Sequence, residues 1–318
     1  MRKLNILFLG MNGFFSLLPL QALNKYHNII GIIEAAPRKY RQSFRFKAYY
    51  HTLKIYHWIF KRKDISVLKE FAKKKKLPYF FCSDINVVDM ERTIKKLTPD
   101  LICIASFSQL LKPNIIEIPK YGVINMHPSY LPQYRGANPW FWMYYYMEKQ
   151  GGITIHYVDK GEDTGDIIYQ QKYEIYHGEA IESLQKKAIR IGTKLIVKAV
   201  NDIAENTVKP MKQEITGEIR KAPNVLNGQD YIDWENWSIE EIYHFLRGNY
   251  ASVLIGIKHF WDKGKNLSIL DYKKCKILKK YAIGSIYKEQ DREWICCKDG
   301  KIYVKRTFDI HKLIKNLL

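Results

Sequence analysis

The sequence predicts an α/β fold with a Rossmann-like, mostly parallel sheet and a smaller, β-rich C-terminal domain of OB-like type. Three observations predict it. The chain opens on a strand at Leu4–Leu9, an apolar helix through Leu23 and a second strand at Ile29–Ile33. Short apolar strands then alternate with helical segments, which is typical of a parallel sheet covered on both faces. Beyond residue 250, short strands separated by turn residues replace that alternation.

The chain has 318 residues, which is enough for two domains. We place a first domain at 1–204, a linker at 205–230 and a C-terminal helix plus a small barrel-like domain at 231–318. The linker contains Pro210, Pro223 and two glycines, which favour irregular structure. A hydrophobic content of 47% excludes a disordered chain.

Several classes of protein are disfavoured by what the sequence lacks. The five cysteines are odd in number and have no metal-binding spacing, so we expect a reducing, cytoplasmic location and no metal. No apolar run has the length of a membrane span. The loop Gly10-Met-Asn-Gly13 lacks the spacing of a GxGxxG fingerprint, which argues against a dinucleotide cofactor.

Positive charge is concentrated near the start of the chain. Residues 1–80 contain 17 Lys/Arg against 3 Asp/Glu, whereas residues 201–318 contain 21 against 16. Within the first region, residues 37–63 interleave basic and aromatic side chains at helical spacings. This basic–aromatic segment is either a helix that faces phosphates or nucleic acid, or an amphipathic surface helix with a solvated basic face.

The remaining elements follow from hydrophobic periodicity and from the positions of turn residues. In the first domain we predict a helix at about 64–75, a strand at Leu77–Phe81, a helix at Val87–Leu97, strands at Asp100–Ala105 and 121–125, an aromatic helix at Pro139–Glu148, strands at Gly152–Val158 and Asp166–Gln170, and a helix at 180–204. In the second domain we predict a helix at Ile239–Gly248 and strands at Ser252–Lys258, Leu267–Leu270, Gly284–Tyr287, Trp294–Cys297 and Lys301–Val304.

The stretch Gly122–Pro139 contains the chemistry. Asn125 and His127 end a buried strand, and residues two apart on a strand point to the same face. An amide donor beside an imidazole can stabilise and deprotonate a tetrahedral intermediate. For Asn-x-His by itself, a strand end with an unrelated polar pair is the simpler interpretation.

A second segment, Val158–Asp166, favours the catalytic interpretation of Asn125 and His127 over the simpler one. Asn-Met-His-Pro-Ser-Tyr-Leu-Pro-Gln-Tyr-Arg-Gly over 125–136 and Asp163-Thr-Gly-Asp166 together resemble the motifs of the 10-formyltetrahydrofolate-dependent formyltransferase family. The resemblance is strong over residues 100–172 and weak elsewhere. One departure is Tyr130, where the family usually has leucine.

The resemblance implies a formyltransferase fold with its catalytic domain at 1–204. N10-formyltetrahydrofolate would be the co-substrate, and no metal would be needed. It implies that Asn125 donates to the oxyanion, that His127 exchanges the proton of the amine, and that Asp163 pairs with His127. The implied folate contacts are Ser108, Gln109, Leu110, Leu111, Ser129, Tyr130, Leu131 and Pro132. As an alternative, Leu110 and Leu111 are core residues at a helix start.

Three other polar residues near the motifs have simpler interpretations. Arg135 either binds a phosphate of the acceptor or braces the loop, and only bracing follows from the local sequence. His156 lies within a strand, where we expect a packed histidine rather than a ligand. We interpret Asp166 as a turn residue.

The acceptor amine is the main open question. The Gly10–Gly13 loop and the aromatic helix differ from the tRNA enzymes of the family and favour a nucleotide-linked amino sugar, used in surface glycan biosynthesis. Methionyl-tRNA is the alternative partner, because residues 37–63 are basic and a C-terminal β-domain is present. A third hypothesis is a non-catalytic or tailoring module that kept the fold. A homodimer is one option for the assembly.

Overall fold

The structure, a computed structural model, describes residues 2–36, 66–226, 231–249 and 265–308. The basic–aromatic segment and the strand predicted at Ser252–Lys258 lie outside the described residues. The first elements are β1 (Asn5–Gly10), α1 (Phe14–Tyr26), β2 (Asn28–Ala35), α2 (Val67–Lys75), β3 (Tyr79–Cys82), α3 (Val88–Leu97), β4 (Leu101–Ala105), α4 (Pro113–Ile116) and β5 (Val123–His127). The later ones are α5 (Pro139–Tyr145), β6 (Gln150–Tyr157), β7 (Ile167–Glu174), α6 (Ile181–Ala204), α7 (Ile239–Arg247), β8 (Lys265–Lys274), β9 (Ile286–Glu289), β10 (Arg292–Cys297) and β11 (Gly300–Phe308).

The larger sheet has seven strands in the order β3-β2-β1-β4-β5-β6-β7. The pairs from β3 to β5 are all parallel, and β6 runs antiparallel to β5. This confirms the predicted Rossmann-like, mostly parallel sheet. The carboxyl ends of β1, β4 and β5 therefore meet at one edge, which is where open α/β sheets bind ligands.

The core beneath this edge is apolar because each of the central strands is buried on both faces. Strand β4 is buried at all of its residues. One core cluster contains Leu7, Leu9, Ile33, Cys82, Ile85, Ile94, Ile102, Ile104, Leu111, Ile115 and Val123. The cluster anchors β1, β4 and β5, so the loops that leave them start from rigid positions.

The C-terminal strands form a separate antiparallel sheet in the order β8-β11-β10-β9. Trp294 and Ile302 are almost fully buried on it. The turn between β10 and β11 is formed by Lys298 and Asp299, within the Lys298-Asp-Gly300 stretch that the sequence predicted. The β-rich character of the C-terminal region is thereby confirmed.

The chain divides into two compact units. The first comprises residues 1–139, 151–173 and 185–222, and the second comprises residues 140–150, 174–184 and 223–318. Residues 205–222, which the sequence analysis placed in a linker, lie in the first unit. The boundaries at 204 and 230 stay a prediction. Among the described residues, no helix is both long and apolar enough to cross a membrane.

Candidate active site

Strand β5 brings Asn125 and His127 to the carboxyl edge of the sheet, and the loop after β6 brings Asp163 to meet them. The Asp163 Oδ2 atom lies 3.5 Å from Nδ1 of His127. The Asn125 Nδ2 atom donates to the Asp163 Oδ1 atom at 3.4 Å. Of the three side chains that the sequence analysis named as catalytic, Asp163 therefore contacts both of the others.

The surroundings of His127 determine which ring nitrogen is basic. The Nε2 atom lies 3.0 Å from the carbonyl oxygen of Tyr134. A carbonyl can only accept, so Nε2 carries the hydrogen of the neutral ring and Nδ1 presents its lone pair towards Asp163. Burial lowers the pKa of His127 and Asp163 opposes that effect, with a net shift downwards. His127 is therefore a neutral imidazole near pH 7, with Nδ1 free to take up a proton.

Asp163 is held as an anion. Burial by itself raises its pKa, but the positive charge that His127 and His156 carry when protonated, together with the N–H of Gly136, outweighs burial, so the pKa lies well below the usual range of a carboxyl group. The Gly136 N–H donates to Oδ2 at 3.0 Å. The backbone of Asp163 adopts a φ of 55°, a left-handed conformation that is uncommon for a residue other than glycine. Such a conformation is maintained only where surrounding contacts hold it.

His156 is a member of the site that the sequence analysis treated as a packed residue. Its ring is buried, as expected, but it also contacts two of the catalytic candidates. Its Nδ1–H donates to the Tyr157 carbonyl at 2.7 Å, so Nε2 is an acceptor and receives the Asn125 Nδ2–H at 3.2 Å. Nε2 also lies 3.5 Å from Asp163. The contact arises because Asn125 and His156 are register partners across β5 and β6.

The proline-containing loop after β5 is fastened to the next two strands. The Thr154 hydroxyl donates to the carbonyl of Ser129 at 2.7 Å and accepts the N–H of Leu131 at 3.1 Å. The Gln170 side chain donates to the Leu131 carbonyl at 2.6 Å. The loop is therefore rigid on both sides of Tyr130.

The predicted folate contacts in this loop differ in how accessible they are. The side chains of Ser129 and Leu131 are buried, and the Ser129 hydroxyl donates to the Gln133 carbonyl at 2.7 Å. Tyr130 is 37% exposed, and Pro132 is partly exposed. A ligand on this wall would meet Tyr130 and Pro132, while Ser129 and Leu131 hold the loop in shape.

The predicted contacts after β4 differ in a similar way. Leu110 is 65% exposed and Ser108 is exposed, so both have surface available to a ligand. The Gln109 side chain accepts the N–H of Ile85 at 2.8 Å and braces the loop. Leu111 belongs to the core cluster, as the alternative interpretation of this residue expected. Contact with folate stays a prediction for all of these positions.

The described part of the chain contains no group of three or more His, Cys, Asp or Glu side chains that could hold a metal ion.

Arg135 uses its Nε and Nη2 atoms to bind the Gln213 side chain at 3.1 and 2.7 Å. This favours the bracing role of Arg135.

Gly136 is required by its surroundings. Its φ is 121°, and an added Cβ would lie 2.6 Å from the carbonyl oxygen of Ala222. We expect Gly136→Ala to destabilise the fold by about 1–3 kcal/mol more than Gly217→Ala. Gly217 is a matched control, because its φ of 97° imposes similar backbone strain but an added Cβ would meet nothing within 4 Å. Urea unfolding of both variants measures the difference in the free energy of unfolding. Equal decreases in the two variants would show that the Ala222 carbonyl can move away at little energetic cost.

A buried imidazole–carboxylate pair with an amide donor, at the carboxyl edge of a Rossmann-like sheet, has the groups that acid–base-assisted group transfer requires. The family model described as formyl transferase matches residues 61–200. A methionyl-tRNA formyltransferase of Halothermothrix orenii is 32% identical over 243 residues, which is 75% of this chain and 75% of that protein. The chain belongs to the formyltransferase family.

Two solved structures share the fold over almost the whole chain. One is an N-formyltransferase from Helicobacter canadensis in complex with folinic acid and dTDP-3-aminofucose, with a TM-score of 0.61 and 19% identity over 96% of this chain and 100% of that one. The other is WlaRD, a sugar 3N-formyl transferase in the presence of dTDP and 5-N-formyl-THF, with a TM-score of 0.61 and 19% identity over 96% of this chain and 98% of that one. At this level of identity the likeness establishes the fold.

Proposed function

We propose that this enzyme transfers the formyl group of N10-formyltetrahydrofolate to the amino group of a nucleotide-linked amino-deoxy sugar. The observation that carries the formyl-transfer step is the convergence of Asn125, His127 and Asp163 at the edge of the sheet. Folate as donor is supported by the folates named in the two solved structures, and by the exposed surfaces of Leu110 and Tyr130 beside the site.

We infer the following steps for the transfer. The amine nitrogen attacks the formyl carbon, a C–N bond forms, and the formyl oxygen becomes an oxyanion. Nδ1 of His127 takes the proton that leaves the amine, and Asp163 stabilises the resulting imidazolium. The oxyanion then re-forms the C=O bond, the bond between the formyl carbon and N10 of the folate breaks, and the His127 imidazolium gives its proton to N10.

Asn125 is the donor to the oxyanion in this scheme. One of its N–H groups is fixed by Nε2 of His156 at 3.2 Å, and the other makes a longer bond to Asp163 at 3.4 Å. The longer bond is the weaker one, and its N–H can turn to the oxyanion. Loss of one such donor typically lowers the rate by about 10²–10³.

The choice of a sugar acceptor is supported by the aromatic character of α5 and the residue after it. Trp142, Tyr145 and Tyr146 follow one another on and just after α5, and the rings of Trp142 and Tyr146 stack with centroids 6.0 Å apart. Tyr146 is 41% exposed. An exposed aromatic ring such as that of Tyr146 suits contact with a nucleobase or with the apolar face of a sugar. The Helicobacter canadensis structure contains dTDP-3-aminofucose, a nucleotide-linked amino sugar, and WlaRD is described as a sugar 3N-formyl transferase.

Methionyl-tRNA is the second candidate acceptor. It is favoured by the 32% identical methionyl-tRNA formyltransferase and by the 17 Lys/Arg of residues 1–80. The deciding experiment is an absorbance assay of formyltetrahydrofolate turnover against a panel of UDP- and dTDP-linked amino sugars, with methionyl-tRNA as comparator. Turnover with an amino sugar well above that with methionyl-tRNA supports the proposal, and the reverse order would promote the second candidate.

The basic–aromatic segment provides a further test from its charge alone. We expect the triple replacement of Arg41, Arg45 and Lys47 by alanine to raise the KM for the best sugar nucleotide only modestly, with kcat almost unchanged. A diphosphate offers two phosphates and hence a shallow salt dependence, whereas a tRNA backbone offers many. The measurement is KM against ionic strength. Efficient, steeply salt-sensitive formylation of methionyl-tRNA that the triple variant loses would contradict the sugar assignment.

A further inference from the structure

Residues 211–222, which we call the strap, run across the loops that present the catalytic candidates. At one end, Met211 and Ile167 exchange two backbone hydrogen bonds of 2.7 and 2.8 Å. At the other end, the Ala222 N–H donates to the carbonyl of Arg135 at 2.8 Å. Between them, the Tyr134 N–H donates to the carbonyl of Arg220 at 2.7 Å. The strap, the loop after β5 and the loop after β6 all belong to the first unit.

Gln213 is the strap residue whose side chain reaches both loops. Its Nε2 donates to the carbonyl of Asp163 at 2.9 Å and to the carbonyl of Gly165 at 2.7 Å. Its Oε1 accepts both hydrogen bonds from Arg135. Both N–H groups and the carbonyl oxygen of this side chain therefore make hydrogen bonds. Together these bonds connect the loop that contains Asp163 to the loop that contains Arg135.

Asp163 has a particular need for such a connection. Its left-handed backbone requires support from outside the loop, and its carboxylate must meet side chains of two different strands at once. One oxygen faces His127 and receives the Gly136 N–H, and the other faces Asn125 and His156. A shift of the loop by about 1 Å would break this arrangement.

We propose that Gln213 is a positioning residue for formyl transfer: it fixes the backbone of Asp163 against Arg135, and so sets the carboxylate at its distance from His127. The assignment deepens the proposed function and rests on it. Gln213 contacts Asp163 at its backbone carbonyl and not at its carboxylate. Its effect on the reaction must therefore act through the position of Asp163.

The test compares Gln213→Ala with Glu214→Ala, an exposed neighbour on the strap. A second variant, Gln213→Glu, keeps an oxygen that accepts from Arg135. It replaces the NH₂ group, which donates to the Asp163 and Gly165 carbonyls, with an oxygen that can only accept. The first readout is the kcat and KM of formyl transfer. The second is the titration of His127 by NMR, assigned with His127→Ala, which needs no substrate. The charged or titratable groups that face His127 are Asp163 and His156.

We expect Gln213→Ala to lower kcat by about 100-fold with little change in the KM for folate, because positioning acts on the transition state. The pKa of His127 should fall below that of the parent, since the carboxylate that raises it moves away. Gln213→Glu should behave like Gln213→Ala, and Glu214→Ala like the parent.

A His127 titration that is unchanged in both Gln213 variants would overturn the assignment, even if activity fell through loss of folded protein. Full activity in Gln213→Ala would overturn it too. If the parent enzyme formylated none of the acceptors, the proposed function would fail, while the His127 titration would still decide the role of Gln213.

Discussion

Replacing His127 with alanine is expected to lower the kcat of formyl transfer by about 10²–10⁴-fold, the usual contribution of a positioned general base. The amine must lose a proton as it attacks, and Nδ1 of His127 is the neutral base that the buried site provides. Affinity for folinic acid should stay nearly that of the parent, because the candidate folate surface is formed by Tyr130, Pro132 and Leu110 rather than by this ring.

Single-turnover kinetics and calorimetric titration of folinic acid give the two quantities separately. His177→Ala is a suitable control, since it removes an exposed imidazole from the second unit. Near-parent turnover in His127→Ala would remove His127 from the mechanism. In the parent enzyme the rate should rise with pH as His127 loses its proton, and the midpoint should lie below the ordinary value of a histidine because burial lowers its pKa.

The change Asp163→Asn is expected to preserve the fold and to lower kcat by about 10³–10⁴-fold, by analogy with other imidazole–carboxylate pairs. A neutral amide cannot stabilise an imidazolium ion. It also fits neither orientation of the site: an NH₂ group at the Oδ2 position opposes the Gly136 N–H, and at the Oδ1 position it opposes the NH₂ of Asn125.

The pH–rate profile identifies the cause of that loss. The carboxylate raises the pKa of His127, so its removal should move the acid limb of kcat/KM to lower pH. Glu162→Gln, an exposed change on the same loop, should leave both the rate and the acid limb unchanged. A profile for Asp163→Asn that coincides with that of the parent would disprove the pairing with His127.

Both variants probe residues that the sequence identified, and for His127 the reason is local. The side-chain period of a strand is two, so Asn125 and His127 had to share a face, and an apolar run such as Asp100–Ala105 had to be a buried strand. The same patterns predicted the long helix that the structure places at Ile181–Ala204, and the turn at Lys298-Asp-Gly300. Asp163 was reached through the family motif rather than through spacing.

Other features depended on contacts between residues far apart in the chain. The role of His156 required the β5–β6 register, since a shift of one residue would turn its ring away from Asn125. Leu110 and Leu111 are adjacent residues of the same type, so the sequence does not distinguish them. In the structure Leu110 is exposed and Leu111 packs in the core.

The sequence by itself therefore determined the class of fold, the face shared by Asn125 and His127, and the motif that contains Asp163. The tertiary structure decided which nitrogen of His127 is basic, because that depends on the Tyr134 carbonyl, seven residues away in a folded loop. It also decided that Gln213, 50 residues from Asp163, donates a hydrogen bond to the Asp163 carbonyl. Periodic patterns report local backbone geometry, whereas hydrogen bonds across loops form only when the whole chain has packed.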